Sequence, residues 1–187
     1  MERGINTRCL HLEETEGKTD NYGALTFPIY QTATYAHPAV GQSTGYDYSR
    51  LQNPTREHLE KVVASLEGGI DALALSTGMA AITLMMELFK PGDHLIVESD
   101  LYGGSIRLFN NVSEKNGIEF SRVACSKEDV ESYVKDNTKA IYIETPTNPM
   151  MNVTDIGALA GIAKKHGLLL IVDNTFLSPY FQNPLKL

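Results

Sequence analysis

The chain has 187 residues, 42% hydrophobic and 21% charged, enough to bury one good core of ordinary globular composition. Its formal net charge of −7 excludes the basic surface that a nucleic acid or an anionic membrane requires. No apolar run approaches the roughly 18 residues of a membrane span, and Met1-Glu2-Arg3-Gly4-Ile5-Asn6 lacks the apolar stretch of a signal peptide, so the expected location is the cytoplasm.

Residues 1–60 carry scattered Tyr, Thr, Gly and Pro with little periodicity, as in Tyr22-Gly23-Ala24-Leu25-Thr26-Phe27-Pro28 and Gly45-Tyr46-Asp47-Tyr48-Ser49-Arg50. The stretch is long for a loop and too aromatic for disorder, which suits an arm that packs against another subunit. From about residue 55 a regular alternation begins. Leu59, Val62, Val63 and Leu66 predict a helix over 55–66. Residues 71–76 predict a strand, and 79–89 a helix ended by Pro91-Gly92. A strand at 94–98 and a helix at 105–115, ended near Gly117, come next. A strand at 118–123, a helix at 127–135, a strand at 140–143 and a helix at 155–166 follow. The apolar run 168–173 predicts a last strand buried on both faces and ending in Asp173. Strands alternating with helices predict an α/β fold with a mostly parallel, doubly wound sheet.

Several chemistries are excluded by pattern. Cys9 and Cys125 share no short metal-ligand spacing, and the five histidines form no HExxH pair, so reduced, structural cysteines and no metal site are expected. No GxGxxG follows a strand. Gly17-Lys18-Thr19 looks like the end of a P-loop, but Leu12 stands where its first glycine belongs.

Five stretches can carry chemistry. Ser76-Thr77-Gly78-Met79-Ala80-Ala81 joins a strand to a helix, where free backbone N–H groups can cradle a phosphate; alone it reads more readily as an ordinary Thr-capped turn. In Tyr48-Ser49-Arg50, the planar fork of Arg50 can grip a phosphate and Tyr48 can add a hydroxyl. Tyr102 stands just past a strand end, where Gly103 and Gly104 let a flat ring approach the backbone, and Arg107 follows as a carboxylate ligand or a surface cation. Glu144-Thr145-Pro146-Thr147-Asn148-Pro149 is a turn stiffened by two prolines, which fixes where Asn148 points. Asp173 can pair with a cationic ring nitrogen, as in enzymes that use pyridoxal phosphate (PLP), or cap the next turn. At about 4 Å and an effective dielectric near 20 such a pair is worth about 4 kcal/mol, or roughly 3 pKa units. Four of these stretches follow different strands along one sheet edge, and their types match one ligand.

Together these motifs resemble the PLP-dependent transsulfuration enzymes, the cystathionine synthase and lyase family. The resemblance runs from the aromatic arm through Asp173-Asn174-Thr175-Phe176. It implies a large domain of aspartate aminotransferase type, with residues 1–60 as an arm on a neighbouring subunit and 61–187 as the first part of the PLP-binding domain. It implies that Gly78 and Met79 bind the cofactor phosphate, joined by Tyr48 and Arg50 of another subunit in a homotetramer. Tyr102 would stack on the ring and assist proton transfer. Asp173 would pair with the ring nitrogen, and Asn148 would contact the cofactor or the substrate carboxylate.

Gly104 stands where methionine γ-lyases typically carry a cysteine. Arg107 resembles the arginine that binds the distal carboxylate of cystathionine or O-succinylhomoserine, and that sulfhydrylases acting on O-acetylhomoserine typically lack. The resemblance therefore favours a cystathionine γ-synthase or a cystathionine β/γ-lyase acting on cystathionine, an O-acylhomoserine or cysteine. The alternatives are an O-acetylhomoserine sulfhydrylase, a methionine γ-lyase, or a non-catalytic module that docks on a full-length homologue. The family's Schiff-base lysine lies in a Ser-x-Thr-Lys segment that does not occur in this sequence, and Lys186 falls in a stretch resembling the one before it. The chain thus reads as a truncated, N-terminal half. Residues 1–187 alone are expected to show no appreciable turnover, and full activity in a lyase assay with added PLP would refute that expectation.

Overall fold

The computed structural model describes residues 4–11, 22, 24 and 26–187. The Gly17-Lys18-Thr19 motif lies outside the described residues. The chain divides into two compact units, 1–74 and 75–187.

The first unit is built on α1 (Ile5–Leu10) and α2 (Pro54–Glu67). Asn53 starts α2 by accepting the Thr55 N–H at 2.8 Å, and Gly68, at φ +75°, ends it. Arg8 reaches from α1 to the Ser65 hydroxyl at 3.0 Å. The aromatic segment is tied to the start of α2. The Tyr30 N–H donates to Thr55 Oγ1 at 2.8 Å, and Asn53 Nδ2 donates to the Tyr30 carbonyl at 3.1 Å. Phe27 stacks on His58 with ring centroids 4.1 Å apart. Cys9 is exposed, whereas Cys125, in the second unit, is buried.

The second unit is a sheet covered on both faces. Its strands are β1 (His94–Glu98), β2 (Glu119–Val123), β3 (Thr138–Glu144) and β4 (Leu169–Asp173), all parallel, in the order β2-β1-β3-β4. Alternate residues feed opposite cores, as a two-residue period requires. Ile96, Ile141, Ile143 and Val172 meet Ile156, Leu159 and Ala163 of α5 (Ile156–His166). Leu95, Val97, Tyr142 and Ile171 meet Met86 of α3 (Gly78–Met86) and Ile106 of α4 (Gly103–Leu108). Asp155 caps α5 through the Ala158 N–H at 2.9 Å, and Gly167 closes it at φ +65°. The chain then forms α6 (Ser178–Phe181) and a short 3₁₀ turn, Pro184–Lys186. Among the described residues no helix is long and apolar enough to cross a membrane.

Three expected elements differ. Residues 71–76 form no strand, because no neighbouring strand among the described residues pairs with them; Leu73 is 71% exposed. The helix expected over 127–135 shrinks to a 3₁₀ turn, Val130–Tyr133. Asp129 accepts the Glu131 N–H and so restarts the backbone there, and the following Val, Ser and Tyr are weak helix formers. The last strand is not buried on both faces: β4 is an edge of the sheet, and Leu169 is 51% exposed. Its apolar run is therefore half-covered, by α5 contacts on one side and Tyr142 and its neighbours on the other. In addition, the expected helix 105–115 begins at Gly103 as α4 and loosens into a π turn at Phe109–Ser113.

At the edge opposite the strand ends, His94 is fully buried, with Nδ1 2.8 Å from Thr138 Oγ1 and Nε2 2.9 Å from Ser121 Oγ. Burial, and then the nearby Lys135, lowers its pKa from the ordinary 6.5. The folded state therefore prefers the neutral ring. The stability this provides is present above the unfolded pKa and is lost as the pH falls through it. The urea midpoint is expected to hold between about pH 8 and 7 and to drop between about pH 6.5 and 5, with a shallower drop in His94→Gln, itself destabilised by about 1–3 kcal/mol.

Candidate functional site

The strand order creates a crevice. From β1 the chain crosses by α4, on the Tyr142 face, to reach β2; from β3 it crosses by α5, on the Ile141 face, to reach β4. Connections that leave neighbouring strands toward opposite faces part at their carboxyl ends, which is where open α/β sheets hold ligands. The loop after β1 carries Tyr102, and the loop after β3 carries Asn148.

Each of β1, β3 and β4 ends in an acid: Glu98, Glu144 and Asp173. Glu98 is spent on structure. Its Oε1 accepts the Ser99 N–H at 2.8 Å and the Asp100 N–H at 3.2 Å, and its Oε2 accepts the Cys125 N–H at 3.1 Å. Burial, and then the Glu98 charge, pushes the Cys125 thiol up to about 12, so it is inert as a nucleophile at neutral pH. Asp100 extends the same loop. Its Oδ2 accepts the Thr147 hydroxyl, the Met150 N–H at 3.2 Å and Asn152 Nδ2 at 3.2 Å.

Glu144 is 5% exposed, and its Oε2 accepts the Tyr102 N–H at 2.8 Å. Burial, and next among the raising causes the Asp173 charge, lifts its pKa above the ordinary 4.5, while the Tyr102 N–H opposes them. Glu144 and Asp173 are register partners on adjacent parallel strands, so they project to the same face. Asp173 is held from both oxygens: Tyr142 donates its hydroxyl to Oδ2 at 3.4 Å, and Thr175 donates its N–H to Oδ1 at 3.1 Å and its hydroxyl at 2.5 Å. Burial, then the Asp173 charge, raises the Tyr142 pKa strongly, so this phenol stays a donor.

The N-terminus of α3 completes the edge. Thr77 takes the Ala80 N–H on its side chain at 3.0 Å and the Ala81 N–H on its carbonyl at 3.2 Å. The first two amides, Gly78 and Met79, have no acceptor within the helix. A Cβ added at Gly78 would meet nothing within 4 Å. At Gly104 the reverse holds: a Cβ would lie 2.4 Å from Tyr102 Cε1 and 2.7 Å from Met79 Sδ. The Tyr102 ring thus lies across a glycine backbone beside the start of α3, with 44% of the residue exposed. The approach that Gly104 permits is by Tyr102's own ring. Arg107 is exposed on α4, its Nη1 3.5 Å from where a Gly103 Cβ would stand.

Of the residues that the sequence singles out, Gly78, Met79, Tyr102, Arg107, Asn148 and Asp173 thus lie in the second unit. A chain of contacts runs from Met79 through Gly104, Tyr102 and Glu144 to the register partner Asp173. Tyr48 and Arg50 lie in the first unit, with the Arg50 guanidinium 5.0 Å from the Tyr48 ring centroid. Sequence reasoning passed over Asp100, Tyr142 and the carboxylate of Glu144. The recurrence of an acid as the last residue of a strand was the available signal. The donor set fits PLP: two free amides suit an anionic tail, an exposed aromatic face suits a flat ring, and an oriented carboxylate suits a cationic ring nitrogen.

Residues 6–187 match the profile of the family described as Cys/Met metabolism PLP-dependent enzyme. A cystathionine gamma-lyase of Bacillus subtilis (strain 168) is 55% identical over 166 residues, which are 88% of this chain and 44% of that protein. A cystathionine beta-lyase of Lactococcus lactis subsp. cremoris (strain MG1363) is 46% identical over 184 residues, 98% of this chain and 48% of that protein. The crystal structure of cystathionine gamma-lyase from Lactobacillus plantarum complexed with L-serine has the same fold, with a TM-score of 0.90 at 43% identity, covering 98% of this chain and 48% of that one. The chain spans about half the length of the curated relatives it matches. With the profile matched over nearly its whole length, the chain belongs to the family of Cys/Met metabolism PLP-dependent enzymes.

Proposed function

We propose that the chain forms part of a PLP-dependent transsulfuration enzyme of sulfur amino-acid metabolism, a cystathionine γ-synthase or a cystathionine β- or γ-lyase. The observation that carries this reading is Asp173, fixed by Tyr142 and Thr175 at the same sheet edge as Tyr102. When bound, PLP supplies an electron-withdrawing ring that eases loss of a proton from the α-carbon of an amino acid. The chain's residues bind and steer. Gly78 and Met79 N–H groups hold the phosphate, where a helix start contributes about 0.3–2 kcal/mol. Asp173 faces the ring nitrogen and keeps a proton there, at about 4 kcal/mol for a 4 Å pair in a medium of effective dielectric near 20.

Tyr102 covers one ring face and moves a proton at the substrate through its hydroxyl. Asn148 orients the cofactor or the substrate carboxylate, and Arg107 takes the distal carboxylate of cystathionine or of an O-acylhomoserine. Tyr48 and Arg50 reach the phosphate bound by a neighbouring subunit, in a cytoplasmic homotetramer built from dimers. Residues 1–60 form that arm, and 61–187 form the first part of the PLP-binding domain.

Asp173→Asn keeps the shape of the side chain and removes its charge. PLP binding, followed by absorbance, is expected to weaken at least tenfold, with loss of the spectral form of the protonated ring. Unchanged affinity and spectrum would count against the pairing. Gly104→Ala forces the Tyr102 ring off its seat, since a Cβ would stand 2.4 Å from Cε1. The expected outcome is a shifted Tyr102 ring signal in NMR and PLP affinity lower by about tenfold, with a stability loss of about 1–3 kcal/mol.

A further inference from the structure

We infer that Glu144 is a positioning residue that locks the Tyr102 loop to the Asn148 turn and so presets the two sides of the cofactor crevice. The inference deepens the proposed function and rests on that reading for the roles of Tyr102 and Asn148. Glu144 itself faces away from any ring-nitrogen role: its Oε2 is taken by the Tyr102 N–H at 2.8 Å.

Three observations converge on it. A carboxylate that is 5% exposed stays in place only if donors surround it. The donor here is a backbone amide of the loop after β1, Tyr102, while the acceptor ends β3 and leads into the Asn148 turn; the two loops leave the sheet toward opposite faces. Backbone donors fix the chain itself, so one side chain sets the relative height of both loops. Glu144 is also the last residue of β3 and the register partner of Asp173, which places the clamp one strand spacing from the ring-nitrogen carboxylate. A second acid works in the same sense. Asp100, on the Tyr102 loop, accepts the Thr147 hydroxyl, the Met150 N–H and Asn152 Nδ2 from the Asn148 turn. The two loops are thus cross-linked in both directions, by an acid of β3 reaching the β1 loop and an acid of the β1 loop reaching the β3 turn.

A group that positions backbone has a signature that general destabilisation lacks: the Tyr102 amide, and with it the Met150 amide that Asp100 of the same loop holds, should loosen together while the strands stay protected. The test is amide hydrogen exchange by NMR on the chain without PLP, combined with PLP titration by absorbance. In Glu144→Ala, the Tyr102 and Met150 amides are expected to exchange at least tenfold faster, with Leu95 and Ile141 unchanged. PLP affinity is expected to fall at least fivefold. Glu144→Gln keeps one carbonyl oxygen and is expected to leave at least one of the two amides protected. If the alanine variant fails to fold, Glu144→Asp, which withdraws the carboxylate by one methylene, carries the same expectation.

Wild-type exchange at Tyr102 and Met150 in Glu144→Ala or Glu144→Asp would overturn the inference, as would two amides already unprotected in the wild type. If the amides loosen as expected but the wild-type chain takes up no PLP, the positioning role stands and the functional reading fails. If PLP binds equally to all variants while the amides loosen, the lock exists without serving the site, and the inference is overturned.

Discussion

Pairing of β1 with β3 is the constraint on which the site depends. These strands are far apart in sequence yet adjacent at the centre of the sheet, and their carboxyl ends lie level with each other. The chain leaves β1 toward one helical layer and β3 toward the other, so the loops beyond them have to diverge. Divergence opens a crevice, but it also leaves two loops with no regular structure to hold them. Two acids, buried Glu144 and half-buried Asp100, resolve that conflict. A loop amide with no ladder partner needs an acceptor, and a carboxylate at a strand end supplies one where water is excluded. The architecture that makes room for a ligand therefore creates the need for Glu144 and Asp100.

The same logic separates what was legible in the sequence from what was not. Local signals survive because their causes are local. Asn53, Thr77 and Asp155 each stand before a helix and each caps it. Gly117 and Gly167 sit at positive φ where their elements end. The strands 94–98 and 140–143 read correctly because every residue there is apolar or paired in the sheet. The failures concern neighbours. Residues 71–76 have strand composition, but a strand is a relation between two segments, and no strand among the described residues pairs with this one. The run ending in Asp173 looks like a strand covered on both faces, but its place at the sheet edge depends on strand order, which periodicity does not encode.

Site residues divide in the same way. Tyr102, Asn148 and Asp173 announce themselves by following strands, and the motifs around them are specific. The residues that hold them are quieter. Tyr142 reads as one more core aromatic and is one, packed edge-on to Phe109 with centroids 5.5 Å apart, yet its hydroxyl also reaches Asp173. Asp100 reads as a loop acid. Its work lies in contacts 47 to 52 residues away, beyond the reach of any local pattern.

Charge sets the last requirement. The edge gathers Glu98, Asp100, Glu144 and Asp173, which suits the ring end of a cationic pyridinium and repels a phosphate dianion. Helix dipole and two free amides at α3 contribute about 0.3–2 kcal/mol, which is less than one close carboxylate can take away in a medium of intermediate dielectric. Two features keep the conflict small. Glu98 and Asp100 are occupied by backbone and side-chain donors, which spread and cancel part of their field. Met79 stands beside Gly104 and the Tyr102 ring, so the amide end of the crevice is separated from Asp173 by apolar and aromatic surface. Even so, a full phosphate calls for a planar cationic donor that α3 does not contain. Under the proposed function that donor is Arg50, stacked near Tyr48 in the other unit. On the proposed reading, cofactor binding and subunit assembly are therefore one equilibrium: without a neighbour's arm, the phosphate end of this crevice lacks the charge that its own acids make necessary.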